Sequence, residues 1–160
     1  MTPQEREELL QRLAAGPVLL AELLRPLTDK EMRYRPGQDQ WSAKEVVGHL
    51  LDIETRVQQR RFRLIVEEDT PTFPATDHIG WVKEGNYQEQ DFRRKLEAWR
   101  QARAETIAFL RGLPAEAWDR QGMHPRLGPT SFGATVKRLA NHDVIHADQI
   151  RVSLEQMRRG

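Results

Sequence analysis

The sequence predicts an all-α four-helix bundle, and three observations predict it. Apolar residues recur at steps of three and four in four long stretches. Segments rich in Gly and Pro separate those stretches. No segment alternates with a period of two over a useful length, so no strand is expected. Four long helices joined by short-to-medium loops make a bundle.

The first helix is expected from about Pro3 to Arg25, with Leu9, Leu13, Leu20, Leu23 and Leu24 as its apolar stripe. Gly16-Pro17 lies inside it, and proline has no N–H to give, which predicts a kink or a break. Pro26, Pro36 and Gly37 mark the connection to the second helix. The second helix has the clearest start. Ser42-Ala43-Lys44-Glu45 is a capping box, and Trp41 and Val46 stand where a hydrophobic staple forms. Its seam continues through Leu50, Ile53, Val57 and Leu64, and Glu67-Glu68-Asp69 and Pro71 end it.

Residues 69–86 hold Pro71, Pro74, Gly80 and Gly85 and read as a long loop, either a surface crossover or a lid or binding loop. The third helix is expected from Tyr87 to Leu113, with Phe92, Leu96, Trp99, Ile107 and Leu110 inward, until Pro114 stops it. A loop through Gly122, Pro125, Gly128 and Pro129 leads to the fourth helix. Thr130 or Ser131 caps it, and it runs to about Arg158 along Phe132, Val136, Leu139, Ile150, Leu154 and Met157.

The 160 residues suit one domain spanning 1–160 with a real core. The 25 basic and 24 acidic residues are mixed, for a net charge of +1, and no basic stripe suggests a nucleic-acid partner. The run Arg56 to Arg63 is broken by Gln58, Gln59 and Phe62 and reads as a solvated helix face. The absence of cysteine excludes disulfides, thiolate zinc sites and cysteine nucleophiles. Met1-Thr2-Pro3-Gln4-Glu5-Arg6 begins no apolar signal segment, and no stretch reaches the ~18 consecutive apolar residues of a membrane span. A cytoplasmic protein with no membrane partner is expected.

The anomaly is in the fourth helix. Its seam positions are 132, 136, 139, 143, 146, 150, 154 and 157, and Asp143 and His146 interrupt an otherwise apolar series. His142 lies one turn before His146, so both imidazoles project from one side. Polar groups in a core seam destabilise unless they are paired or bind something. On the second helix His49 sits at the edge of the apolar stripe, with Asp52 and Arg56 one and two turns beyond it, and Arg103 falls on the inward face of the third. Three imidazoles from two helices suit a metal ion and leave a coordination position open, as in catalytic zinc sites. Asp143 or Asp52 is then a candidate acceptor for the second N–H of a ligand imidazole. The plainer alternative is a set of hydrogen-bonded core histidines. His78 and His124 fall in expected loops and read as surface histidines, the alternative being that either reaches the site.

Two segments carry a resemblance. Trp41-Ser42-Ala43-Lys44-Glu45-Val46-Val47-Gly48-His49-Leu50-Leu51-Asp52 and His142-Asp143-Val144-Ile145-His146-Ala147-Asp148-Gln149-Ile150 resemble the two signatures of the DinB-like (DinB/YfiT) superfamily. Asp69-Thr70-Pro71, Phe92 and Arg103 fit the same pattern, so the resemblance spans roughly residues 5 to 157. It implies a four-helix bundle with a metal on His49, His142 and His146.

The expected function is a divalent-metal-dependent enzyme acting on a small molecule. The resemblance implies a transferase using a low-molecular-weight thiol, or a hydrolase. Three imidazoles suit zinc, nickel or iron. With no cysteine in the chain, any thiol arrives as a co-substrate. Arg56 and Arg103 are candidates to orient an anionic substrate group, and for Arg103 a buried ion pair with Asp143 is the competing role. A homodimer is expected. The alternative is a non-catalytic, metal- or ligand-binding dimeric helical bundle.

Overall fold

The computed structural model describes residues 1–159. Its elements are α1 (Pro3–Leu24), α2 (Asp29–Arg33), α3 (Ala43–Asp52), a π-helical segment (Ile53–Gln58), α4 (Gln59–Glu67), α5 (His78–Glu84) and α6 (Phe92–Arg111). A short antiparallel hairpin, β1 (Gln121–His124) and β2 (Gly128–Ser131), then leads into α7 (Phe132–Arg159). α3, the π segment and α4 run on directly as a single long helix. Among the described residues no helix is long and apolar enough to cross a membrane.

Caps start the helices where the sequence places them. Ser42 Oγ accepts from Glu45 N at 3.3 Å, and the Glu45 carboxylate accepts from Ser42 N at 2.9 Å. Thr2 with Glu5 closes the same box on α1. Ser131, rather than Thr130, caps α7, its Oγ accepting from Ala134 N at 3.2 Å. Asp91 accepts from Arg93 N and Arg94 N, which starts α6 at Phe92 and leaves Tyr87–Glu89 as a separate 3₁₀ turn outside the third helix.

α1 packs against α6 and α7, and α3 packs against the same two, so α1 and α3 occupy opposite corners of the bundle. Two apolar clusters fill it. Leu9, Leu13, Phe62, Ile65, Trp118, Phe132, Val136 and Leu139 belong to one, and Leu20, Leu24, Val46, Leu50, Trp99, Ile150 and Leu154 to the other. Burying each such side chain stabilises by ~1.5–3 kcal/mol.

Between the clusters lies a polar layer to which all four bundle helices contribute. Arg103 of α6 donates Nε (3.0 Å) and Nη2 (2.8 Å) to Glu54 Oε2, and Nη1 to Asp143 Oδ2 (2.5 Å). Nη1 also reaches the carbonyl of Leu13 at 2.9 Å. That carbonyl is the one Pro17 cannot serve, because it lies four residues earlier and proline has no N–H. α1 therefore runs unbroken through Gly16-Pro17, where the sequence predicts a kink or break. Gly16 is required on the same account: a Cβ there would stand 2.2 Å from Asp143 Oδ2.

Three other expectations are corrected. The π segment adds a residue to one turn, which moves the seam after Val57: Phe62 and Ile65 are fully buried while Leu64 is only partly so. The long 69–86 connection contains α5, capped by the Asp77 carboxylate on Gly80 N. Residues 121–131, expected as loop, form the hairpin, and Phe73 N donates to Met123 O at 2.9 Å, tying the connection to it. Strands of four residues are too short to show alternation in the sequence.

Candidate metal centre

His49 lies in the last turn of α3, two turns beyond the Ser42 cap, and α7 carries His142 and His146 one turn apart. Their Nε2 atoms converge. His142 Nε2 is 3.1 Å from His49 Nε2 and 3.0 Å from His146 Nε2. His146 Nδ1 lies 2.7 Å from Gln149 Oε1. An amide oxygen only accepts, so Nδ1 carries the proton and the His146 Nε2 lone pair faces the other rings.

Burial first, and the neighbouring imidazoles second, push His49 down to about 2 and His142 to about 3. Burial lowers His146 as well. All three rings are therefore neutral at pH 7 and present lone pairs. Three lone-pair donors this close, with His49 Nδ1 and His142 Nδ1 buried and without hydrogen-bond partners, are a poor hydrogen-bonded cluster. They are a fitting donor set for a divalent cation, which satisfies all three Nε2 atoms at once.

The cluster forms the floor of a cleft of about 540 Å³. Trp41 covers one side, its ring 4.7 Å from that of His49 and nearly parallel to that of His146 at 6.3 Å. His78, at the start of α5, brings its ring to 5.5 Å from His49. His124, at the end of β1, lines the opposite wall with Arg126, Arg138 and Arg61. His78 and His124 thus face the cleft, although the sequence reads both as surface residues. Arg61 also departs from the expected solvated face, being only 7% exposed. No aspartate or glutamate lines the cleft.

The remaining candidates lie outside the cleft lining. Asp52 accepts from the Tyr87 hydroxyl and pairs with Arg56 at 3.6 Å. Arg56 itself stacks over the Trp81 ring, 3.9 Å from its centre, and so pins α5. Asp143 and Arg103 hold each other in the polar layer, where Asp143 and Glu54 outweigh burial and keep the Arg103 guanidinium's pKa raised. The acceptor on a cluster imidazole is Gln149, which the sequence pattern does not single out although its i+3 spacing from His146 is visible there. Glu54 escapes notice too, because the π turn that faces it inward has no recognisable signature.

Comparison with known proteins agrees with this architecture. The model of the DinB superfamily matches residues 12–150. A protein of Oceanobacillus iheyensis named "Putative metal-dependent hydrolase OB0413" is 24% identical, the alignment covering 96% of this chain and 88% of that protein. "Putative metal-dependent hydrolase YfiT" of Bacillus subtilis is 25% identical over 78% of this chain and 70% of its own length. The solved structure of YfiT, described as an unusual four-helix bundle, superposes with a TM-score of 0.90 at 21% identity, covering 98% of this chain and 90% of that one. With two facing helices carrying the three histidines and a family model matching most of its length, the chain belongs to the DinB superfamily.

Proposed function

We propose that the chain is a divalent-metal-dependent enzyme that transfers a low-molecular-weight thiol to a small electrophilic substrate. The observation that carries the reading is the convergence of three neutral imidazole nitrogens, and no other ligand type, at the floor of an open cleft. His49, His142 and His146 hold the ion. A divalent ion on three imidazoles acts as a Lewis acid and stabilises the deprotonated form of a bound water or thiol.

The cleft's own residues favour the thiol over water. Hydrolytic zinc centres commonly use a carboxylate to take up the proton of the attacking water, and none lines this cleft. A thiol ordinarily has a pKa of about 8.5 and is deprotonated outright by coordination, so it needs no such base. Gln149 holds the His146 ring in one tautomer, and Trp41 packs beside the His49 and His146 rings. His78 and His124 are the cleft groups able to pass a released proton to solvent. The names of the O. iheyensis and B. subtilis relatives favour hydrolysis as the second reading.

The test is elemental analysis of protein purified without added metal, with two assays run on the same protein. One is conjugation of small thiols to 1-chloro-2,4-dinitrobenzene, and the other is hydrolysis of p-nitrophenyl acetate. Metal-dependent conjugation without ester turnover is expected. Ester turnover without a thiol overturns the transfer reading in favour of hydrolysis. Less than stoichiometric metal with neither turnover overturns both. Removing His142 as His142→Ala should abolish metal retention.

A further inference from the structure

Two stripes of side chains face each other across the cleft. His49, Ile53, Val57 and Arg61 succeed one another at four-residue steps along α3, the π segment and α4, and all four line the cleft. Arg138, His142 and His146 do the same along α7, with Leu139 beside Arg138. One end of the cleft is the imidazole cluster. The other is a group of guanidiniums, and apolar Ile53, Val57 and Leu139 lie between. On α7 Arg138 stands one turn from His142, about 6 Å along the axis, while on the facing stripe Arg61 stands twelve residues from His49, about 18 Å along the axis.

The guanidinium end lacks a counter-ion. Among the described residues Arg61 is buried, makes no salt bridge, and its Nε has no hydrogen-bond partner; its guanidinium lies over the Phe73 ring, 5.3 Å from its centre, and near the Arg138 charge. Among the described residues Arg126 and Arg138, both exposed, pair with no carboxylate either, and the lining supplies none. Gln58, one turn before Arg61 and equally buried, leaves its side-chain oxygen without a partner. Of the three arginines, Arg61 is the largely buried cation with no anion beside it, which is unfavourable and is relieved by an anion entering the cleft.

We propose that Arg61, Arg138 and Arg126 form an oxyanion subsite. It takes the carboxylate or phosphate of a small ligand whose short apolar stretch lies on Ile53, Val57 and Leu139 and whose other end reaches the imidazole cluster. The planar fork of an arginine matches two oxygens of either group. This assignment rests on the imidazole cluster being a thiol-binding metal centre and names the chemistry of the ligand that enters beside it. Burial and the Arg138 charge both act against the Arg61 cation, and an oxyanion beside it relieves both.

The test is calorimetric titration of zinc-loaded protein with 4-mercaptobutyrate and with 4-mercaptobutanol, which differ only in the terminal oxyanion. The acid is expected to bind about 10–100-fold more tightly than the alcohol. In Arg61→Met that preference should vanish while alcohol affinity, zinc stoichiometry and thermal midpoint are kept or improved. Arg138→Met, at an exposed position, provides the same test without touching the core and should reduce the preference. Equal affinity for acid and alcohol in the wild type overturns the subsite. So does a preference that survives in both variants. If neither thiol binds, the transfer reading falls. The subsite is then decided by butyrate and inorganic phosphate alone: a midpoint rise in the wild type that Arg61→Met lacks supports it and shows which oxyanion is preferred, and no rise with either overturns it.

Discussion

Arg103 and Arg61 are both buried guanidiniums, 1% and 7% exposed, and their surroundings are opposite. Arg103 has Glu54, Asp143 and the Leu13 carbonyl arranged around it. Arg61 has an aromatic ring and other cations. Both sites keep a charge out of water, which is unfavourable without compensation. Where the chain supplies the compensation, the charge joins helices. Where it does not, the compensation has to come from outside. Burial of a charge thus distinguishes nothing by itself, and the inventory of its partners separates scaffold from site.

The largest effect that sharpens the contrast is expected at Arg103. Arg103→Met strands Glu54 and Asp143 and should lower unfolding stability by ~3–5 kcal/mol, measured by urea titration. Adding Asp143→Asn should recover part of the loss. A loss near zero would place Arg103 in the same class as Arg61.

Acid should separate the regions next. His49 and His142 are held at about 2 and about 3, below the ordinary 6.5. Their neutral forms are therefore favoured by folding. That contribution is fully present above pH 6.5 and is lost as pH falls towards those lower values. The thermal midpoint of metal-free protein should drop through this window, and the drop should flatten in His49→Gln, His142→Gln protein. A wild-type profile with no slope there would contradict the burial of neutral rings.

A smaller effect is confined to the cleft. Gln149→Leu should weaken metal affinity ~10–100-fold, read by competition with a chromogenic chelator, while the metal-free midpoint stays put. An unchanged affinity would show that the His146 tautomer needs no acceptor. The smallest effect belongs to the cap. Ser42→Ala should cost about 1 kcal/mol in the metal-free protein, read in the same urea titration. An unchanged midpoint would mean that the capping box does not set the start of α3.

The two regions are also unequally legible in the sequence. Helix starts at Ser42 and Ser131 come from short-range cap chemistry, and the common face of His142 and His146 comes from helical spacing alone. The pairing of Arg103 with Asp143 is one of the two roles that the inward charges on apolar faces allow, and it is the one formed. Glu54 and Arg61 are not anticipated: Glu54 is an acidic residue beside the seam with no local signature, and Arg61 stands in a polar run that reads as a solvated face. On a regular wheel Arg61 falls between Val57 and Leu64 on the apolar seam, a position that the reading of the run by its composition passes over. His78 and His124 depend on how a connection and a hairpin are tied together through Phe73 and Met123, a long-range contact with no local pattern.

The bond from Arg103 to the Leu13 carbonyl has a consequence for how the molecule opens. The ladder of α1 lacks one rung of its own, and a side chain from α6, 90 residues further along, supplies it. α1 thus cannot complete its hydrogen bonding as an isolated segment. The Leu13 carbonyl finds its protein partner only when α6 is docked, and α7 is drawn in through Asp143. Opening of these helices is thereby coupled, and their core amides are expected to exchange with solvent together rather than helix by helix.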